Sequence, residues 1–172
     1  LVFVLPAILL ALAASIYTQV TFGRFSRRGS RSGVTGAQAA ELLLRSEGVT
    51  DVRIEPVGGF LTDHYDPSSH TLRLSPGVYG STSLSAIGVA CHEAGHALQH
   101  AERYAPLTLR TGLVPVAQIG SYAPYILLPL GFMFGSMPLI KLGIILFAVA
   151  VFFTLVTLPV EWNASSRAKS LM

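Results

Sequence analysis

One cysteine among 172 residues, Cys91, leaves no partner for an intrachain disulfide, so no cystine framework holds this chain together and nothing points to an oxidising compartment. Charge is scarce too. Asp, Glu, Lys and Arg make up 12% of the residues, and they gather between Arg24 and Arg110 and again after Val160. The remaining stretches are almost charge-free, which excludes an evenly mixed globular surface. There is no internal repeat and no low-complexity tract.

What is present is apolar. Hydrophobic residues reach 51% with a mean hydropathy of +0.56, more than one compact soluble domain of this length requires. The net charge of +3 could suggest a polyanion partner. Its basic cluster, Arg24, Arg27, Arg28 and Arg31, however, directly follows an apolar run, as a topology signal at an anionic membrane surface would. No nucleic-acid-reading module or aromatic-interleaved basic stripe accompanies it, so no nucleic acid is expected as a partner.

Residues 1–22 carry no charge and are long enough to cross a bilayer. A cleaved signal peptide would carry its charges before the apolar core, whereas here they follow it, so a retained anchor with a cytoplasmic C-terminal end is expected. The chain starts at Leu1 and not Met, so the natural start is expected to lie upstream. Residues 23–34 read as a Gly/Ser/Arg linker.

A small α+β domain is expected over 35–110. Thr35 is a candidate N-cap for a helix over 37–46, which Gly48 ends. Residues 52–57, 60–65 and 70–74 then read as three short strands separated by Gly58-Gly59 and Asp66-Pro67-Ser68-Ser69, with a β-meander as the simplest arrangement. In the third strand Leu72 and Leu74 alternate with Thr71, Arg73 and Ser75, predicting one buried and one wet face. The Ser81–Ser85 stretch offers N-caps for a helix over about 83–103, which Pro106 closes. Two more spans fit 113–134 and 139–160, separated by Gly135-Ser136-Met137-Pro138, and 161–172 should return to the cytoplasmic side.

The chemistry lies in His92-Glu93-Ala94-Gly95-His96. On a helix the two histidines fall one turn apart on one face, so two neutral imidazoles can hold one Zn²⁺. Glu93 is rotated about 100° from His92, placed to act as general base towards water activated by the metal. Cys91, equally rotated from His92, is expected as a small buried residue and not a ligand. A chance pentapeptide on a helix surface is the bland alternative. Against it, His92, His96 and His100 put three of the five histidines on one segment, and Gly95 occupies an otherwise unfavourable mid-helix position.

A catalytic zinc site needs a third protein ligand and an open position. His100 lies about 12 Å along the axis from His92, too far to join the chelate, and Glu102 points elsewhere. Gln99 and Glu102 stand where the metzincin extension needs Gly and His. Glu161 is the strongest remaining candidate, because an outgoing and a returning span bring it back to the side of His92. Interface solvation is the bland reading of the same residue. His64, Asp66 and His70 fit turn chemistry, with His64 retained as a candidate substrate contact.

Leu61-Thr62-Asp63-His64-Tyr65-Asp66-Pro67, Leu72-Arg73-Leu74-Ser75-Pro76, the stretch 88–100, and Leu158-Pro159-Val160-Glu161-Trp162-Asn163-Ala164-Ser165 together resemble the YugP-like family of putative neutral zinc metallopeptidases. These are membrane proteins distantly related to the HtpX heat-shock and CAAX prenyl peptidases. The resemblance spans most of the chain. It implies Glu161 as third ligand, Arg167 near the site, one catalytic Zn²⁺, and a further apolar helix after Met172. Asn163 departs from the pattern, where Asp is more usual, which weakens any role in orienting a histidine ligand through a carboxylate.

The reading is therefore a membrane α-helical protein with a small cytoplasmic α+β zincin-like domain, a β-meander plus the H-E-x-x-H helix, three spans present and a fourth beyond the end. Its expected function is zinc-dependent endopeptidase action on peptides or membrane proteins, at a bacterial plasma membrane with the site facing the cytoplasm. Two alternatives stay open. An intramembrane protease would need a longer apolar run before His92 than residues 84–91 supply. A non-catalytic zinc-stabilised membrane scaffold or adaptor would normally use four ligands, commonly including Cys.

Overall fold

The computed structural model describes residues 4–170; residues 1–3 of the expected anchor and residues 171–172 of the expected C-terminal segment lie outside the described residues. The chain is mostly helical with one three-stranded sheet, and it divides into two compact units, one up to Ala97 and one over 98–170.

The first unit begins with α1 (Val4–Ser26), which buries none of its residues. Helix α2 (Gly36–Ser46) starts as its sequence asks. Thr35 and Gln38 form a reciprocal capping box, satisfying two backbone donors at the helix start. It ends at Gly48, whose φ of 74° lets the Gly48 and Val49 amides fold back onto the Arg45 and Leu44 carbonyls.

The sheet consists of β1 (Arg53–Pro56), β2 (His64–Asp66) and β3 (Thr71–Leu74) in the order β1-β3-β2, with β1 parallel and β2 antiparallel to β3. This corrects the expected β-meander, in which β2 would be central. The strands' own chemistry explains the order. β1 contains Arg53, Glu55 and Pro56, the last without an N–H to give a second neighbour, and β2 is three residues long, so both suit edges. β3 takes the centre with Thr71, Leu72 and Leu74 fully buried. Thr71 and Ser75 are therefore not on a wet face, against the alternation expected for this strand.

The β2–β3 connection is the turn foreseen at Asp66. Its carboxylate accepts from the Ser68 amide at 2.9 Å, from the Ser68 and Ser69 hydroxyls at 2.6 and 2.7 Å, and from Arg73 at 2.9 Å. These donors hold the Asp66 carboxyl far below its ordinary range, the Ser68 hydroxyl contributing most. The β1–β2 connection is longer, and Asp63 pins it to the end of β3 by accepting from the Ser75 amide at 2.7 Å. A one-turn helix, α3 (Pro76–Tyr79), unforeseen from the sequence, follows the sheet.

Helix α4 (Leu84–Ala101) is capped by Ser83, whose hydroxyl accepts from the Ala86 amide at 3.2 Å. Its buried Ala86, Ile87, Ala90, Cys91, Ala94 and Ala97 join Leu43 and Leu44 of α2 and Leu72 and Leu74 of β3 in the buried hydrophobic set. Burial pushes the Cys91 thiol up to about 11, which suits a core residue.

The second unit takes the last turn of α4 together with α5 (Ala105–Met133) and α6 (Met137–Ser170). α5 begins eight residues before the expected span, and α6 continues ten residues past it, so Glu161 lies inside a helix. The hairpin turn is closed by Gly135 at φ 60°, with the Ser136 amide donating to the Gly131 carbonyl at 2.8 Å. Small residues let the two helices approach closely. A Cβ on Gly120 would stand 2.8 Å from the Leu146 carbonyl oxygen, and one on Gly143 2.8 Å from Cδ2 of Leu128. α1, α5 and α6 are each long and apolar enough to cross a membrane.

Candidate metal centre

Regular α-helical geometry through the H-E-x-x-H segment follows from its neighbours. Ala90, Ala94 and Ala97 bury without bulk, so α4 keeps its winding while His92 and His96 share one face. Their ring centroids are 5.0 Å apart with planes at 84°. His96 is buried, while His92 and Glu93 are half-buried.

Among the described residues, His92, His96 and Glu161 form a group that could hold a metal: one ligand atom from each, all within 4.8 Å of one another. The donor set fits zinc. Two imidazole nitrogens and one carboxylate oxygen form a three-ligand set that leaves a fourth position open.

Gln99, in the last turn of α4, ties that turn to the part of α6 that carries Glu161. Its side-chain amide, fully buried, donates to the Val160 carbonyl at 2.8 Å and to Oδ1 of Asn163 at 2.9 Å, the residues on either side of Glu161 and Trp162. Asn163 also accepts from Nε of Arg167 at 2.7 Å. Arg167 in turn grips Glu102 through both terminal nitrogens, at 2.5 and 2.7 Å. That fork holds the Glu102 carboxyl below its ordinary range.

The whole of residues 1–172 matches the family described as "putative neutral zinc metallopeptidase". The chain belongs to that family. It is also 49% identical over 168 residues, 98% of this chain and 75% of the relative, to the "putative membrane protease YugP" of Bacillus subtilis strain 168. No solved structure matches.

For this neutral zinc metallopeptidase family member, the remaining candidate residues divide clearly. His64 is exposed on the edge strand β2, with its Nδ1 2.7 Å from the Thr62 carbonyl oxygen, and is not in the metal group. His70 pairs with Asp51 at 2.9 Å and Asp66 with Arg73, both as turn and sheet contacts. Asn163 and Arg167 belong to the network around Gln99 and Glu102. In the sequence Gln99 and Glu102 mark positions that break a metzincin pattern, and Glu102 besides is a ligand candidate set aside on helix geometry. One signal could have found Gln99: it lies seven residues after His92, on the same helical stripe, where a polar side chain needs a partner.

Proposed function

We propose that this protein is a membrane-bound zinc endopeptidase in which His92, His96 and Glu161 hold the metal and Glu93 is the general base. The observation that carries the reading is the clustering of two imidazoles and one carboxylate on ligand-bearing atoms within 4.8 Å, in a chain of a zinc-metallopeptidase family. A bound zinc would polarise the scissile carbonyl and make water acidic enough to lose a proton near neutral pH.

The chain's own residues do the rest. Glu93 lies next to His92 on α4 but about 100° around the helix, so it can approach the attacking water while the histidines hold the metal. It removes the water's proton as the oxygen adds to the carbonyl carbon, then gives that proton to the leaving nitrogen as the C–N bond breaks. Gly95 and Ala94 add no bulk beside it.

The membrane part of the reading rests on α1, α5 and α6 and on the relative named a membrane protease. Parity then puts the C-terminal ends of α1 and α6 on one side, the cytoplasmic one by the arginine cluster. Peptides or membrane proteins are the substrates this arrangement suits.

The test is a comparison of zinc content and cleavage of unfolded casein by the full chain in detergent. His92→Ala should lose most of its zinc. Glu93→Gln should keep zinc and lose turnover by about 100-fold or more, as removal of a general base does. Full zinc content in His92→Ala would sink the ligand assignment. Turnover surviving Glu93→Gln would sink the role of Glu93, and a zinc-loaded wild type that cleaves nothing would favour the scaffold reading.

A further inference from the structure

Arg110, in the second turn of α5, has no role in the site as described so far. Its Nη2 lies 3.8 Å from Oε1 of Glu161. Its Nε is buried and has no hydrogen-bond partner among the described residues. At 3.8 Å the first contact is beyond hydrogen-bond range, and with side chains 34% and 41% exposed such a pair adds little stability. The second observation opposes stability outright, because a buried donor without an acceptor loses its hydration and gains nothing.

Arg110 is equally ill-suited to serve the metal. A guanidinium beside a carboxylate ligand competes for its charge and repels an incoming dication. A residue whose only task was to hold Glu161 for zinc would be neutral and would hydrogen-bond it, as Gln99 does for Val160 and Asn163. A cation with an idle buried donor beside a candidate metal ligand needs another explanation, and sites of chemistry are where such groups are found.

We propose that Arg110 is a catalytic residue that binds the carbonyl oxygen of the scissile peptide and stabilises the negative charge it acquires. The assignment rests on the peptidase reading given above. Nε–H and Nη2–H share one edge of the planar guanidinium, so two parallel donors can meet one developing oxyanion. When the water oxygen bonds to the carbonyl carbon, the C=O π pair moves onto oxygen, where Arg110 receives it. When that pair returns, the C–N bond breaks and Glu93 delivers its proton to the nitrogen. Arg110 stays protonated throughout, so it contributes charge and hydrogen bonds and never a proton.

Substitution separates this role from a structural one by the sign of the effect on metal affinity. The full chain in detergent is titrated with zinc against a chromogenic chelator, then assayed zinc-loaded on unfolded casein. Arg110→Gln should bind zinc as tightly as wild type or more tightly, because a competing cation has gone, while turnover falls about 100-fold or more. Arg110→Lys keeps the charge but lacks the paired edge, so it should recover part of that loss and not all of it. Should Arg110→Gln fail to fold, the lysine variant carries the test alone.

Weaker zinc binding in Arg110→Gln would show that Arg110 supports Glu161, and unchanged turnover would show that it supports nothing in the reaction. Full turnover in Arg110→Lys would remove the need for a paired donor. Each of these overturns the assignment while leaving the peptidase reading intact. A wild type that binds zinc and cleaves no casein overturns both, and the two failures are told apart by whether wild type is active.

Discussion

Gln99 fixes the register between the last turn of α4 and α6, because its one amide nitrogen donates both to the Val160 carbonyl and to Asn163. Leucine at this position would fit the volume but leave both acceptors without that donor inside the protein. Gln99→Leu should therefore lose about 1–3 kcal/mol, read as a lowered thermal midpoint in detergent. An unchanged midpoint would mean that water reaches Val160 and Asn163 and that the network is ornamental. The contrast with the histidines shows what sequence can reveal at this scale. His92 and His96 stand out in the sequence as a candidate pair because an i, i+4 spacing puts two imidazoles on one helix face, and Glu161 is a candidate third because a returning span would bring it to their side; the three form a group that could hold a metal. Gln99 and Arg110 are silent in one dimension. A polar residue near a helix end and an arginine beside an apolar run each have a bland meaning that fits equally well, and only burial separates the meanings.

Elements were legible where a local signal decided them. Thr35, Gln38 and Gly48 bound α2, Ser83 opens α4, and Gly135 closes the hairpin turn, each through bonds between residues at most five apart. The order of the strands was not legible, because it depends on which strand can tolerate two neighbours, a comparison among all three. Arg53, Glu55 and Pro56 answer it once the sheet is seen, since they favour an edge. The length of α6 was hidden for a related reason: Pro159 and the return of polar residues after Val160 read as a boundary, yet the helix carries Pro159 within it and runs to Ser170. For the hairpin of α5 and α6, close contact at Gly120 gives a sharp prediction. A leucine there must displace the Leu146 carbonyl side of α6, so Gly120→Leu should cost at least about 1–3 kcal/mol, whereas Gly112→Ala, with open space around it, should be nearly silent beyond propensity. Equal melting temperatures for the two variants would show that the helices do not approach as closely as described.

At the scale of the whole molecule, the proposed orientation rests on the distribution of positive charge. Of the twelve Lys and Arg residues, eleven lie in the α2–α4 segment or towards the ends of α1, α5 and α6 that parity assigns to the domain side; Lys141 alone lies near the α5–α6 turn. That imbalance is the ground for the proposed cytoplasmic side, since loops rich in Lys and Arg resist translocation. The single native cysteine makes this measurable. Cys91 is buried and its thiol is pushed up to about 11, so it should be inert towards alkylating reagents in the folded protein. Ser68, exposed at the β2–β3 turn, offers a site for a new thiol. In intact cells, Ser68→Cys should resist a membrane-impermeant maleimide and react only after permeabilisation, while Ser136→Cys in the α5–α6 turn should react from outside. Labelling of Ser68→Cys in intact cells would invert the topology and move the proposed peptidase site to the outer face. Labelling of both positions from one side would mean that α5 does not cross, and Glu161 would then have to reach His92 and His96 without the return passage that parity provides.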